Sequence, residues 1–290
     1  MNQPLLLLLG TGVMLGLNFP IGKLALTHGI NPALWAAIIS LGAGISMLVI
    51  TRLRKTEKSY SNYTIKFALV SGCLSYVVPN LLTFMVIPRI GSGLAAVMFA
   101  LSPIATALIS IFLRVRPPNF WGMFGIMLGL IGALTITVGR NKNLDTNGSV
   151  WIIVALLIPI FLGIGNVYRT LAWPKGAAPD VLAAYTNLAA VPSLVTIFVF
   201  TGFDLAPLAS LGVLIVLQIA VSTIMFLMFF RLQQIGGPTY LSQIGYVAAA
   251  VGLFIGATFM GEIYLPLVWI GAGVVALGIT VSTWSELKKK

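Results

Sequence analysis

"LGLNFPIGKLAL" (15–26) and "LGIGNVYRTLAW" (162–173) decide how this chain is read. Set against each other at an offset of 147 residues, Leu15, Gly16, Leu24 and Ala25 meet Leu162, Gly163, Leu171 and Ala172, and Pro32 then meets Pro179. Ile90-Gly91 meets Ile235-Gly236 at 145, and Gly125 and Gly132 meet Gly271 and Gly278 at 146. Apolar helices align by chance, so no single match carries weight. A near-constant offset over five segments does.

The surroundings of the two stretches set the solvent. Of 290 residues, 59% are hydrophobic and 8% charged, with a mean hydropathy of +1.04. Soluble domains carry about 25% charged residues. The composition is therefore that of an integral membrane protein. Apolar runs fall at about 4–27, 32–51, 64–87, 90–113, 119–139, 150–171, 180–201, 208–231, 237–260 and 265–284. The expected fold is an all-α polytopic membrane protein of ten transmembrane helices, with one five-helix repeat in 1–145 and a second in 146–290. Five crossings are an odd number, so the second copy enters the membrane inverted. The halves are then related by a pseudo-two-fold axis in the membrane plane, with substrate at their interface.

The first run has no basic region before it and is long enough for a hydrocarbon core of roughly 30 Å, so it is read as a retained helix rather than a cleaved leader. With the N-terminus inside, cytoplasmic ends hold 13 Lys and Arg residues against 4 outside, which puts both termini in the cytoplasm. The net charge of +11 then reports topology and contact with anionic headgroups, not nucleic acid. Lone Cys73 is read as inert packing, and lone His28 lacks metal-ligand company. Gly-rich faces serve internal and external packing alike, so oligomeric state stays open.

The six acids (Glu57, Asp145, Asp180, Asp204, Glu262 and Glu286) all fall in links or at segment ends. With no buried carboxylate pair, no nucleophile and base, no metal cluster and no phosphate loop, the chain reads as neither an enzyme nor a nucleotide-driven pump, and it implies no cofactor. What remains is neutral polarity inside apolar runs: Asn18, Tyr76, Asn80, Ser102, Asn166, Tyr168, Asn187, Gln218, Gln243 and Tyr246. Lipid satisfies none of these groups, so each faces protein, water or ligand. Interhelical glue and substrate contact are both open to them. Asn18 and Asn166 stand one position apart in corresponding halves, which favours contact; Asn187 and Gln218 are left as glue. Pro20 has no N–H for the Gly16 carbonyl, and Pro159 with Gly163 and Gly165 interrupts the matching segment. Paired interruptions point to a binding site. Lys23 and Arg169 each follow an interrupted stretch, and either snorkel to headgroups or form a charged rim that attracts a carboxylate.

The chain resembles the EamA type of drug/metabolite transporter, with two tandem EamA repeats. Three stretches carry the resemblance: "LGLNFPIGKLAL"; "IGSGLAAVMFALSPIATALISIFL" (90–113), with Leu101-x-Pro103 at its centre; and "FMGEIYLPLVWIGAGVVALGITV" (259–281). Glu262 keeps an acidic residue expected by the family in the second half, and Arg116 replaces it in the first. The resemblance implies ten helices with both termini inside, in a bacterial inner membrane, and export or exchange of small metabolites such as amino acids. The expected function is thus a secondary transporter of a small polar metabolite working by alternating access. A passive channel and a non-transporting scaffold subunit are its rivals.

Overall fold

A computed structural model describes residues 3–55, 61–115, 118–139, 146–261 and 263–287. Glu57, Lys58, Arg116, Arg140, Lys142, Asp145, Glu262 and Lys288–Lys290 lie outside them. The described residues form helices and no strand: α1 Gln3–Thr27, α2 Pro32–Leu53, α3 Asn62–Gly72, a π-helical turn Cys73–Val77, α4 Val78–Ile90, α5 Ser92–Phe99, α6 Ser102–Phe112, α7 Phe120–Gly139, α8 Thr146–Leu171, α9 Pro179–Thr201, α10 Gly212–Ser242, α11 Ile244–Phe259 and α12 Pro266–Leu287. Among the described residues, seven stretches are long and apolar enough to cross a membrane: Gln3–Thr27, Pro32–Leu53, Asn62–Ile90, Ser92–Phe112, Val150–Leu171, Pro179–Thr201 and Gly212–Ser242. Apolar helices over Phe120–Ile136, Ile244–Phe259 and Pro266–Ser282 are shorter.

Helix starts follow local chemistry. Asn31 caps α2 by accepting from the Ala33 N–H at 2.8 Å, with Pro32 next in line. Ser61 caps α3 through Thr64 N–H at 3.1 Å. These side chains satisfy N–H groups that have no partner inside the helix. α1 continues through Pro20 without a break.

Prolines account for two of the interruptions and glycines for two more. Pro79 has no N–H for the carbonyl of Ser75, and its ring crowds that carbonyl. The helix widens there, and Val78 N–H donates to the Cys73 carbonyl five residues back. Pro103 likewise has nothing to give Phe99, and α5 stops at Phe99. A single residue, Gly91 (φ 80°, ψ 161°), separates α4 from α5. Within α10, Gly237 (φ 72°, ψ −175°) makes the same kind of corner. Only glycine adopts this backbone at low cost.

Packing between helices relies on close backbone approach, as expected where lipid supplies no hydrophobic drive. A Cβ on Gly125 would lie 2.6 Å from the Gly278 carbonyl oxygen, and one on Gly132 would lie 2.6 Å from that of Gly271. α7 and α12 are thus antiparallel neighbours, and these glycines pack inside the protein. Gly16 meets Val251 and the Ala248 carbonyl of α11, and Gly163 meets Ala105 and Thr106 of α6. Large apolar side chains such as Phe112, Phe200 and Val213 face outward. Cys73 is also exposed, which corrects its reading as a packing residue. It lies in a span, so its outward face is a surface for acyl chains.

Candidate substrate site

The interruptions converge. A Cβ on Gly245, near the start of α11, would sit 2.1 Å from the carbonyl oxygen of Phe99 and 3.1 Å from the nitrogen of Ala100. Only hydrogen fits there, so the break after α5 and the break before α11 touch backbone to backbone. The Ser102 hydroxyl donates to the Ser242 carbonyl at 3.3 Å across the same junction.

Beside this contact lies a cavity of about 50 Å³, lined by both breaks, by the π turn and by α8 and α10. One ordered water needs roughly 10–15 Å³ on this measure, so the space suits a few waters or a slender ligand. Its polar wall is Ser75, Tyr76, Asn80, Ser102, Asn166 and Ser242; its apolar wall includes Leu162, Phe226 and Phe229. A second cavity of about 30 Å³ is lined by Asn18, Thr83 and Ser222, and shares Leu15, Asn80, Phe99, Met225 and Phe226 with the first. The two are thus separated by one layer of side chains.

Two polar networks flank these cavities. Around the smaller, Asn18 Oδ1 accepts from the Ser222 hydroxyl at 2.8 Å and from Gln218 Nε2, while Asn18 Nδ2 donates to the Met14 carbonyl at 2.7 Å. Around the larger, Arg169 donates to Ser75 Oγ, to Asn166 Oδ1 and, at 3.4 Å, to Gln233 Oε1. Its guanidinium lies 4.8 Å over the ring of Phe229. Asn166 Nδ2 donates to Thr106 Oγ1 at 3.2 Å, and Gln233 Nε2 donates to the Asn166 carbonyl at 3.1 Å and to Thr170 Oγ1 at 2.6 Å. Gln233 and Thr170 also line a vestibule of about 500 Å³ under the α8–α9 loop. One layer of polar side chains therefore divides vestibule from cavity.

Arg169 is 0% exposed, so it neither snorkels nor forms a rim. The correction has a local cause. Arg169 shares a helix face with Asn166, and Ser75 and Gln233 complete an inward set of acceptors. Lys23 is half-buried near the end of α1 and lines neither cavity. Pro20 is buried and also lines neither. Tyr168 stacks on Phe67, with ring centres 6.1 Å apart, away from the cavities. Gln243 donates to Ser282 of α12 at 2.7 Å, and Tyr246 packs against Gly129 of α7. These two share a face, as their spacing requires, and that face meets other helices.

One lining group is left over: the Tyr76 hydroxyl is buried without a hydrogen bond, and half-buried Asn80 lies between the two cavities. Buried polar groups in a membrane interior are rarely left so. Sequence reasoning passed over Ser75, Ser222 and Gln233, and left Gln218 as glue. The signal for the first two was present: Ser75 and Ser222 stand 147 residues apart, the offset of the opening match.

Comparison with known proteins agrees with this architecture. Residues 3–138 match the EamA-like transporter family. The uncharacterized inner membrane transporter YedA of Escherichia coli strain K12 is 27% identical over 257 residues, which are 87% of this chain and 81% of YedA. The YedA proteins of strains O6:H1 and O157:H7 match equally well. A solved crystal structure superposes with a TM-score of 0.70 over 97% of each chain at 15% identity, a likeness of fold. The chain is a multi-pass inner-membrane protein of the transporter class. The match over residues 3–138 agrees with the resemblance read from the sequence.

Proposed function

We propose that the chain is a secondary transporter that moves a small polar metabolite by alternating access between two inverted five-helix halves, 1–145 and 146–290, with both termini cytoplasmic. The observation that carries this is the cavity at the touching helix breaks, lined by Asn80 and by Tyr76, whose buried hydroxyl no protein group takes up. Asn18, Asn166 and Ser102 belong to the same site; Tyr168, Gln243 and Tyr246 join helices around it.

Exchange of contacts between the halves supports the inversion. Under an offset of 146, the pair Gly125–Gly278 becomes Gly271–Gly132, which is the other close pair of α7 and α12. Gly245–Phe99 maps onto itself. Gly16–Val251 becomes Gly163–Ala105 when offsets of 147 and 146 are used. A two-fold axis between the halves produces such self-images. If Gly237 divides α10, residues 238–259 form the ninth crossing and mirror the broken segment 92–112.

Solute counterflow in proteoliposomes tests the function. Saturable uptake, accelerated by unlabelled solute inside, is expected and should fall in Asn80→Ala. Conductance without saturation identifies a channel and rejects the proposal. Absence of flux for any small metabolite, together with a stable co-purifying partner, identifies a scaffold and rejects it as well.

A further inference from the structure

We infer that the transported solute is a small monocarboxylate, selected by a donor wall that the buried Arg169 charges from behind; the inference rests on the cavity being the transport site. A guanidinium keeps its charge, and a charge in the membrane interior is costly unless it is paired or functional. Arg169 is fully buried, and its hydrogen-bond partners are the neutral oxygens of Ser75, Asn166 and Gln233. Among the described residues the ion pair found is Arg54–Asp180, elsewhere in the protein, and neither cavity lining contains Asp or Glu. The site thus carries an uncompensated positive charge one side chain behind its wall.

The wall in front is built to donate. Ser75 Oγ accepts from Arg169, so its own O–H is available to the cavity. Tyr76, 3% exposed, lines the same space, and its buried hydroxyl has no partner. Asn166 spends one N–H on Thr106 and retains a second. Three donors backed by a cation fit a carboxylate, whose two oxygens only accept. Phe226, Phe229 and Leu162 line the rest, which suits a short apolar body. An ammonium group would instead be repelled by the Arg169 charge.

Matched probes isolate the head group. Benzoate, benzamide and benzylamine share one body, and propionate, propionamide and propylamine share a smaller one. Each is titrated against the full chain in nanodiscs, with binding read by calorimetry and by the rise in unfolding temperature. At least one acid should bind about tenfold or more tightly than its amide, as charge-assisted hydrogen bonds require. Arg169→Gln should bring acid and amide within about threefold, and Arg169→Lys should keep the acid ahead. Ser75→Ala and Tyr76→Phe, which leave the guanidinium in place, should each weaken the acid more than the amide, and they carry the test if Arg169→Gln does not fold. Amide or amine binding as tightly as acid, or neither acid binding at millimolar concentration, overturns the inference. Saturable counterflow of an amine with no acid preference overturns it while leaving the transporter intact. Acid binding with the expected preference but without any flux leaves a carboxylate site standing and overturns the transporter reading on which the inference rests.

Discussion

Gly245→Ala is the sharpest probe of the touching helix breaks. The added methyl would lie 2.1 Å from the Phe99 carbonyl oxygen and 2.6 Å from its carbon. Ordinary contact begins at 3.4 Å, so the breaks must part by about 1.3 Å. The atoms in the way are backbone, and no side-chain rotation relieves them. Overpacking of this kind costs roughly 1–3 kcal/mol, and a shift above 1 Å belongs near the top of that range. Alanine returns about 0.5–1 kcal/mol through helix propensity. The expected net loss is about 2 kcal/mol, or a fall of about 4–8 °C in unfolding temperature for a chain of this size. Gly273→Ala is the control: it lies in α12 with nothing within 4 Å of the new methyl, and should be neutral or slightly stabilising. Both are read by thermal unfolding in one lipid nanodisc preparation, with counterflow alongside. Gly245→Ala should also lower flux, because the parted breaks no longer hold Ser102 and Ser242 on the cavity wall. Equal unfolding temperatures for the two variants would refute the reasoning.

Gly91→Ala and Gly237→Ala force a side chain into positive φ at an extended ψ, and each should lose about 1–3 kcal/mol in the same unfolding assay; an unchanged midpoint contradicts the corner geometry. Asn18→Leu leaves buried Gln218 and Ser222 without their shared acceptor, and should cost about 1–3 kcal/mol. Adding Ser222→Ala should then cost less than it does alone, and full additivity would argue against the network. Gln233→Ala thins the layer between vestibule and cavity. In a Cys73→Ser background, Ser75→Cys should then react severalfold faster with a charged thiol reagent applied from the vestibule side, and an unchanged rate would mean that Gln233 is not the barrier.

What the sequence made legible is what periodic hydrophobicity and glycine record. The membrane class and most apolar runs could be read because lipid demands them residue by residue. Pro79 and Pro103 could be flagged, because a missing N–H is visible in the letters. What each frees depends on the residue four back and on what packs there, so the π turn at Ser75 and the Phe99–Gly245 contact were out of reach. Gln233 was lost for another reason. "RLQQIGG" reads as a polar link, whereas the helix runs on through Gln233 and Gln234 to the corner at Gly237, with Arg169, Thr170 and the Asn166 carbonyl taking up the Gln233 amide. Arg169 was misplaced by the complementary error. Near the end of an apolar run an arginine reads as a snorkelling residue, and only the inward set of acceptors, drawn from three separate helical elements, turns it into the core. Gln243 and Tyr246 share a face by spacing, but spacing does not say which neighbour that face meets.

The two halves are not equal in charge, and this bears on Lys23. The image of the vestibule wall under an offset of 147 is the end of α1 and its loop: Thr170 maps to Lys23, Lys175 to His28, and Gly176 (φ 72°) to Gly29 (φ 82°). Both glycines turn the chain in the same left-handed way after the paired stretches 15–26 and 162–173. In the present arrangement the second-half copy of this loop bounds a vestibule of about 500 Å³, and the first-half copy bounds neither cavity. Under the proposed alternating access between inverted halves, an exchange of conformations would close the vestibule under α8–α9, open its counterpart under α1–α2, and put Lys23 where Thr170 stands now. A half-buried lysine at that mouth would meet an anion on the opposite side of the membrane, in line with the charge preference set by Arg169. Cysteines at Lys23 and Thr170, each in a Cys73→Ser background, read this directly. Benzoate or propionate should change their labelling rates in opposite directions, and parallel changes would mean that the halves do not exchange.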